Sequence, residues 1–198
     1  MTRRRTKGKA REELVVGAAA ELIAERGLAN IRVSDVAERA GMSPGHVTYY
    51  FPSKIELLMR AIRQSEGSLI DLVEEEVLDI EDPWRRLDRL IELSAATRPA
   101  DPGWALWIEV WSNSAADPDV TRVHNELDAR WRGILADTIR YGRDLGAFAT
   151  EDPDEVALLL SATIDGLSIQ LTLDAGTVDR RKLLRLCSTA AQALLGPR

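Results

Sequence analysis

The stretch that most constrains this chain runs from Val33 to Lys54, VSDVAERAGMSPGHVTYYFPSK. Val33, Val36, Ala37 and Ala40 recur at i, i+3, i+4 and i+7, which gives a helix one apolar face. Gly41 follows at once, where a helix stops and a positive φ is needed. Ser43 stands where it can cap a second helix, and Pro44 occupies the first position, where the missing N–H costs nothing. Two helices joined by so short a turn must cross closely. Ala37 is small enough to allow the crossing, and Val47 packs back between them. This is the spacing of a helix-turn-helix, whose second helix enters a major groove. An ordinary αα-corner shares the outline and differs in its surface. With Val47, Tyr50 and Phe51 on the core side, Pro44, Gly45, His46, Thr48 and Tyr49 face outward, and Lys54 lies just beyond. Hydroxyls, an imidazole and a cation suit base edges and phosphate oxygens.

The run GMSPGHVTYYFPSKIELL, preceded by VSDVAERA, resembles the DNA-binding domain of TetR/AcrR-type transcriptional regulators. The rest of the chain, with DGL at Asp165 to Leu167, is similar to the C-terminal domain of the choline/betaine repressor (BetI-type) branch. The resemblance implies a dimeric, ligand-responsive DNA-binding regulator. Two positions depart from the family pattern. Arg32 stands where many relatives have Thr or Ser, and a cation there still suits a phosphate. Thr48 stands where many have Tyr, and Tyr49 is the neighbour that can take over that contact.

The net charge of −6 looks wrong for a DNA binder until it is divided along the chain. Residues 1–60 carry 11 Lys/Arg against 7 Asp/Glu, and the remainder 15 against 25. The first eleven residues hold six basic residues and no acid, an arm expected to be disordered alone and drawn to phosphate. The acidic remainder would repel DNA and so orient the basic end toward it. That N-terminus lacks the apolar stretch of a secretory signal. No unbroken apolar run long enough for a membrane span is present. The single cysteine, Cys187, allows no intramolecular disulfide and fits a reducing cytoplasm.

Punctuation along the chain is regular. A first helix is expected from Lys9 to Arg26, with Leu14, Val15, Ala18, Ala19, Leu22 and Ile23 at helical spacing. Ser53 and Glu56 form a capping box that opens a long fourth helix. Asp82-Pro83, Asp101-Pro102, Asp117-Pro118 and Asp152-Pro153 repeat one device, an Asp cap followed by Pro at the first helical position. They predict helices over Pro83–Thr97, Gly103–Ser114, Pro118–Tyr141 and Pro153–Leu173, with a last one over Val178–Leu195. No stretch reads as a strand. The fold class is therefore all-α, nine helices, with a helix-turn-helix domain and basic arm over residues 1–52 and an effector-binding and dimerisation domain over 53–198.

The eighth helix is apolar all round, so it needs cover on every side. Core on one side and a second copy on the other predict a twofold homodimer. The residues expected there are Leu160, Ile164, Gly166, Leu167, Leu171, Leu183, Leu186, Cys187, Ala190 and Leu194. Trp104, Trp107 and Trp111 share one face of the sixth helix. With Glu109, Trp131 and Asp165 they could cage a cationic or aromatic effector. Packing of the sixth helix against its neighbours is the simpler account of any one of these tryptophans, and Asp165 reads either as a hydrogen-bonded core carboxylate or as an effector anchor. His124 reads as a solvated residue.

No nucleophile elbow, phosphate loop, dinucleotide fingerprint or zinc-protease motif is present, and no Cys/His set has metal spacing. The expectation is no catalytic residue, no cofactor and no metal. The reading is a cytoplasmic repressor that binds a double-stranded palindromic operator as a homodimer and is released by a small-molecule effector. His46, Gly45 and Pro44 would meet base edges. Arg32, Ser43, Thr48, Tyr49 and Lys54 would meet phosphates, with Arg3 to Lys7 as an auxiliary arm. The alternative is a helical small-molecule or partner-binding protein whose helix-turn-helix no longer reads sequence.

Overall fold

The computed structural model describes the backbone of residues 2–196 and the side chains of residues 8–196 other than Glu74. Among the described residues there are nine α-helices, one 3₁₀ turn and no strand. The order is α1 (Thr2–Arg26), the 3₁₀ turn Leu28–Asn30, α2 (Val33–Arg39), α3 (Pro44–Tyr50), α4 (Lys54–Glu76), α5 (Pro83–Ser94), α6 (Pro102–Ser114), α7 (Pro118–Asp144), α8 (Pro153–Thr172) and α9 (Arg180–Leu195).

All four Asp-Pro pairs do what their chemistry suggests. Asp82 accepts the N–H of Arg85 at 2.8 Å, and Asp101 those of Gly103 and Trp104 at 3.0 and 3.2 Å. Asp117 accepts from Asp119 and Val120 at 2.9 and 3.3 Å, and Asp152 from Asp154 and Glu155 at 3.1 and 3.0 Å. Each satisfies N–H groups that a helix start leaves without an intrahelical acceptor. Ser53 likewise accepts the N–H of Glu56 at 3.1 Å.

Several boundaries move. Helix α1 begins at Thr2 rather than Lys9. The side chains of Arg3 to Lys7, expected as a phosphate-seeking arm, lie outside the described residues. Helix α5 stops at Ser94 because Ala95 is extended. Arg180 takes the Glu92 carbonyl in the last turn of α5 and the Ala95 and Ala96 carbonyls just beyond it, at 2.6–2.7 Å. The Ala96 N–H goes to the buried Ser168 hydroxyl at 3.1 Å. Helix α7 runs through Gly142 and ends before Gly146, whose φ is +73°. Gly142 serves packing: a Cβ there would lie 2.2 Å from the Phe148 ring.

Two compact units form. One comprises residues 1–65 and 100–124, the other residues 66–99 and 125–198. This grouping departs from a boundary after Pro52 because α6 packs on α1 and so joins the N-terminal helices. The core of the first unit includes Val15, Ala19, Leu22 and Ile23 of α1, Val36 and Ala37 of α2, Val47 of α3, Leu57 and Leu58 of α4, and Leu106 and Val110 of α6. Leu14, placed on the apolar stripe of the first helix, is 60% exposed.

In the second unit α8 packs on α9, and α9 on α5. This corrects half of the expected dimer surface. Leu160, Ile164, Leu171, Leu183 and Cys187 are at most 3% exposed within one chain, so they are core. Gly166, Leu167, Leu186, Ala190 and Leu194 keep exposure. Leu158, Leu159 and Leu173 stand out at 51%, 47% and 63%. Helix α8 has the length and mean hydropathy, 1.2, of a spanning segment, with 44% of that window buried inside the chain. Burial pushes the Cys187 thiol up to about 11, which makes it a small apolar core group and a poor nucleophile.

Candidate nucleic-acid interface

The turn between α2 and α3 is built as its sequence demands. Gly41 has φ +66°, and the Met42 N–H reaches back to the Ala37 carbonyl at 2.8 Å, closing the end of α2. Ala37 and Val47 are buried at the crossing of the two helices. Ser43 stands at the N-cap of α3, but among the described contacts its side chain makes no capping bond, contrary to expectation. At the start of α2 the Arg32 N–H donates to Asp35 at 2.9 Å, and the Arg32 side chain is exposed. Arg39 ties α2 to α1 through Glu21 at 3.1 Å and Glu25 at 3.0 Å. Its hydrogen bond holds the Glu25 carboxyl below the usual range.

With Val47 turned inward, α3 presents Pro44, Gly45, His46, Thr48 and Tyr49 to solvent, and Ser43 precedes them, also exposed. Tyr49 is 81% exposed. The His46 ring lies parallel to Tyr50, with centroids 6.1 Å apart and planes within 10°, so Tyr50 sets the imidazole's orientation. Tyr50 also takes the Tyr49 ring edge-on at 5.3 Å. Thr48 donates to the Pro44 carbonyl at 3.0 Å, which leaves its oxygen outward as an acceptor. A polar, aromatic and convex surface of this kind can be inserted between phosphate backbones.

Lys54 departs from its expected role. Its ammonium donates to the carbonyls of Leu28, Ala29 and Ile31 at 3.1, 3.3 and 3.1 Å. Three protons meet three acceptors, and none is left for a phosphate. Glu109, expected in the effector pocket, is half-buried and turned elsewhere. Its Oε1 accepts the Leu28 N–H at 2.9 Å, across 81 residues. The sequence carries no signal for either contact.

The tryptophans of α6 cluster as their spacing suggests. Trp111 lies 6.0 Å from Trp104 and 5.8 Å from Trp107, and Trp107 meets His124 edge-on at 6.0 Å. His124 is thus part of the aromatic group and only half exposed, rather than a solvated residue. Glu109 points away from this cluster to Leu28.

Trp131 and Asp165 belong to the other unit. There Asp165 is half-buried in α8. Burial first, then the nearby Asp128 carboxylate, push its carboxyl up to about 7; Arg132 opposes and Glu66 adds to the shift. Arg132 pairs with Asp128. The same unit holds a cavity of about 310 Å³ lined by Ile70, Val73, Leu78, Arg86, Arg130 and Ile134 among others, none of them an expected pocket residue. No cluster of three or more metal-ligating side chains occurs among the described residues.

A short, close-crossed helix pair that displays a polar second helix, set in an all-α chain, defines a helix-turn-helix transcription regulator. Residues 15–61 match the family model of bacterial regulatory proteins, tetR family, and residues 83–196 that of the BetI-type transcriptional repressor, C-terminal. The chain belongs to the TetR family, with a BetI-type C-terminal domain, and is a transcriptional regulator rather than an enzyme. The regulator BetI of Rhizobium meliloti (strain 1021) is 28% identical over 85% of this chain and 81% of its own length. BetI of Burkholderia lata is 28% identical over 93% and 94%. A transcriptional regulator from Saccharomonospora viridis, solved in complex with choline, superposes with a TM-score of 0.82 and 32% identity over 96% of this chain and 99% of that one. A TetR-family regulator from Rhodococcus sp. gives 0.80 and 26% over 94% and 98%.

Proposed function

We propose that the protein is a cytoplasmic repressor that binds a palindromic operator as a homodimer and releases it on binding a small organic cation of the choline class. Residues 1–52 read DNA, and the remainder binds the effector and a second copy. The observation that carries the DNA reading is the face of α3: Val47 is buried while Pro44, Gly45, His46, Thr48 and Tyr49 are all exposed. Pro44, Gly45 and His46 approach base edges. Arg32, Ser43, Thr48 and Tyr49 meet phosphates.

One such helix reads too few bases for specificity. Two of them about 34–36 Å apart read successive major grooves, and a twofold dimer supplies that spacing. The exposed apolar residues of α8, with Gly166 and Leu167, and Leu186, Ala190 and Leu194 of α9, support such an interface. A cationic effector is supported by the relative that holds choline and by the acidic neighbourhood of Asp165, where Asp128 and Glu66 face it. A bound cation would favour the ionised Asp165. To release DNA, the effector must bind the non-reading arrangement more tightly, and DNA must then weaken the effector by the same factor.

The test is binding of the purified protein to duplex DNA from upstream of its own gene, against a scrambled duplex, at two salt concentrations and with or without choline chloride. Selective, salt-dependent binding that choline weakens is the expected result. Equal weak binding to both duplexes would overturn the operator reading and favour a helix-turn-helix that no longer reads sequence. Selective binding indifferent to choline would overturn the effector class alone.

A further inference from the structure

The segment Gly27–Ile31 is gripped from two sides, and both grips lie within the first compact unit. From α4, Lys54 takes the carbonyls of Leu28, Ala29 and Ile31. From α6, Glu109 takes the Leu28 N–H at 2.9 Å. Leu28 itself is 5% exposed and Ile31 1%, so the segment is pinned by apolar burial as well. Its entry is equally constrained. Gly27 has φ +75°, and a Cβ there would stand 2.9 Å from Glu109 Oε1. The carboxylate therefore sits directly against the backbone at the point where α1 ends and the lead into the helix-turn-helix begins.

Helix α6 faces two ways. At 3.6 residues per turn, Glu109 is about 160° around the helix from Trp111 and from Trp107. The aromatic cluster and the Leu28 contact thus occupy opposite faces. A rotation or shift of α6 that rearranges the tryptophans must also move the carboxylate that holds Leu28. Asn113 donates to the Glu109 carbonyl at 2.8 Å, fixing the same turn of α6.

We infer that Glu109 is a positioning residue for DNA reading: by holding the Leu28 N–H it keeps the α2–α3 pair in its reading position, and its release lowers operator affinity without any loss of DNA contact. The inference rests on the family's DNA-binding activity. It assigns no role to Glu109 in touching either DNA or effector. If the reading arrangement is the dominant one in the native protein and about one tenth populated without the contact, the apparent Kd rises about tenfold.

The test uses the full-length protein as Glu109→Ala and Glu109→Gln, with Glu109→Asp should the alanine variant fail to fold. Glutamine keeps an acceptor oxygen for the Leu28 N–H; aspartate withdraws it by one methylene. Operator binding is measured for each, and amide hydrogen exchange is followed in the DNA-free protein. The expected result is an operator Kd raised about tenfold for Ala (or Asp) and restored by Gln. Exchange should also be faster through residues 28–51 and unchanged in residues 125–196. Faster exchange at Leu28 alone, with operator affinity within about twofold, would overturn the inference, as would failure of Gln to restore affinity. If the wild type does not select the duplex, the operator reading fails. The exchange pattern still decides whether Glu109 holds the α2–α3 pair.

Discussion

The Lys54 ammonium donates to the Leu28 carbonyl at 3.1 Å, although 26 residues separate the two. It was expected at a phosphate, and the two roles differ in what salt does. A lysine that neutralises a phosphate contributes about one unit to the slope of log affinity against log salt. A lysine that ties α4 to the Leu28–Ile31 carbonyls contributes to stability and posture only. Lys54→Met keeps the apolar stem and deletes the donors. It should lower unfolding free energy by about 1 kcal/mol, since the contacts with the three carbonyls are part-buried or exposed and water can replace part of what the ammonium gave. It should weaken operator binding while leaving the salt slope unchanged. A salt titration of both proteins checks this, and a slope flattened by about one unit would return Lys54 to the phosphates.

His46 and Tyr50 make a second case in which one residue acts through another. The rings lie parallel at 6.1 Å, so the imidazole's direction is set by Tyr50. His46→Ala should relax discrimination at one operator base pair by about 1–3 kcal/mol. Tyr50→Ala should relax it at the same base pair and to a smaller extent, because His46 remains but loses its orientation. Tyr49→Phe, by contrast, should weaken all sequences alike. Competition binding across single-base operator variants separates these outcomes, and loss at different base pairs for His46→Ala and Tyr50→Ala would refute the coupling.

The parts legible in sequence were those written in local chemistry. Gly41, Pro44 and the four Asp-Pro pairs announce helix ends because a cap needs only its own three neighbours. The outward face of α3 was legible for the same reason, since seven residues fix which side Val47 takes. What was not legible depends on distant partners. Helix α8 is apolar on all sides, so periodicity could not say that Leu160 and Ile164 are core while Leu159 is bare. Lys54 read as a phosphate contact and Glu109 as a pocket residue, and each proves to serve one backbone segment, about 25 and 81 residues away respectively. The end of α5 was hidden likewise, because Arg180 claims its carbonyls from α9.

Asp165 should leave a signature in the pH dependence of stability. Its folded carboxyl titrates near 7 against an ordinary value of 3.8, raised by burial and by Asp128, with Glu66 adding and Arg132 opposing. Between those values the folded chain holds a proton that the unfolded chain has released, so stability falls as pH rises across this window. Below about pH 4 the contribution is complete, and above about pH 7 it is lost and the curve is flat again. Asp165→Asn removes the titration. Its Tm should decline less steeply than that of the wild type between pH 4 and 7, and the two curves should run parallel above pH 8. Identical slopes across the window would show that Asp165 ionises normally. Choline, if it binds beside this carboxyl, should bind more tightly as pH rises through 7.

The proposed dimer predicts opposite behaviour for two positions on α8, Gly166 and Leu160. Gly166 is exposed, and nothing lies within 4 Å of a Cβ built on it, so the chain's own core has room for a side chain there. Gly166→Arg also replaces a poor helix former by a good one, a gain of up to about 1 kcal/mol within one chain. It nonetheless places a large charge where a second backbone would approach. The variant should keep its helicity, run as a 21.9 kDa monomer in light scattering, and lose selective operator binding. Leu160 is 0% exposed. Leu160→Ala should cost about 2–5 kcal/mol of stability from lost burial and the cavity left behind, yet retain the dimer mass at temperatures below its lowered Tm. A dimeric, operator-binding Gly166→Arg protein would move the interface off this face of α8. A monomeric one that still selects the operator would mean that a single α2–α3 pair suffices for reading.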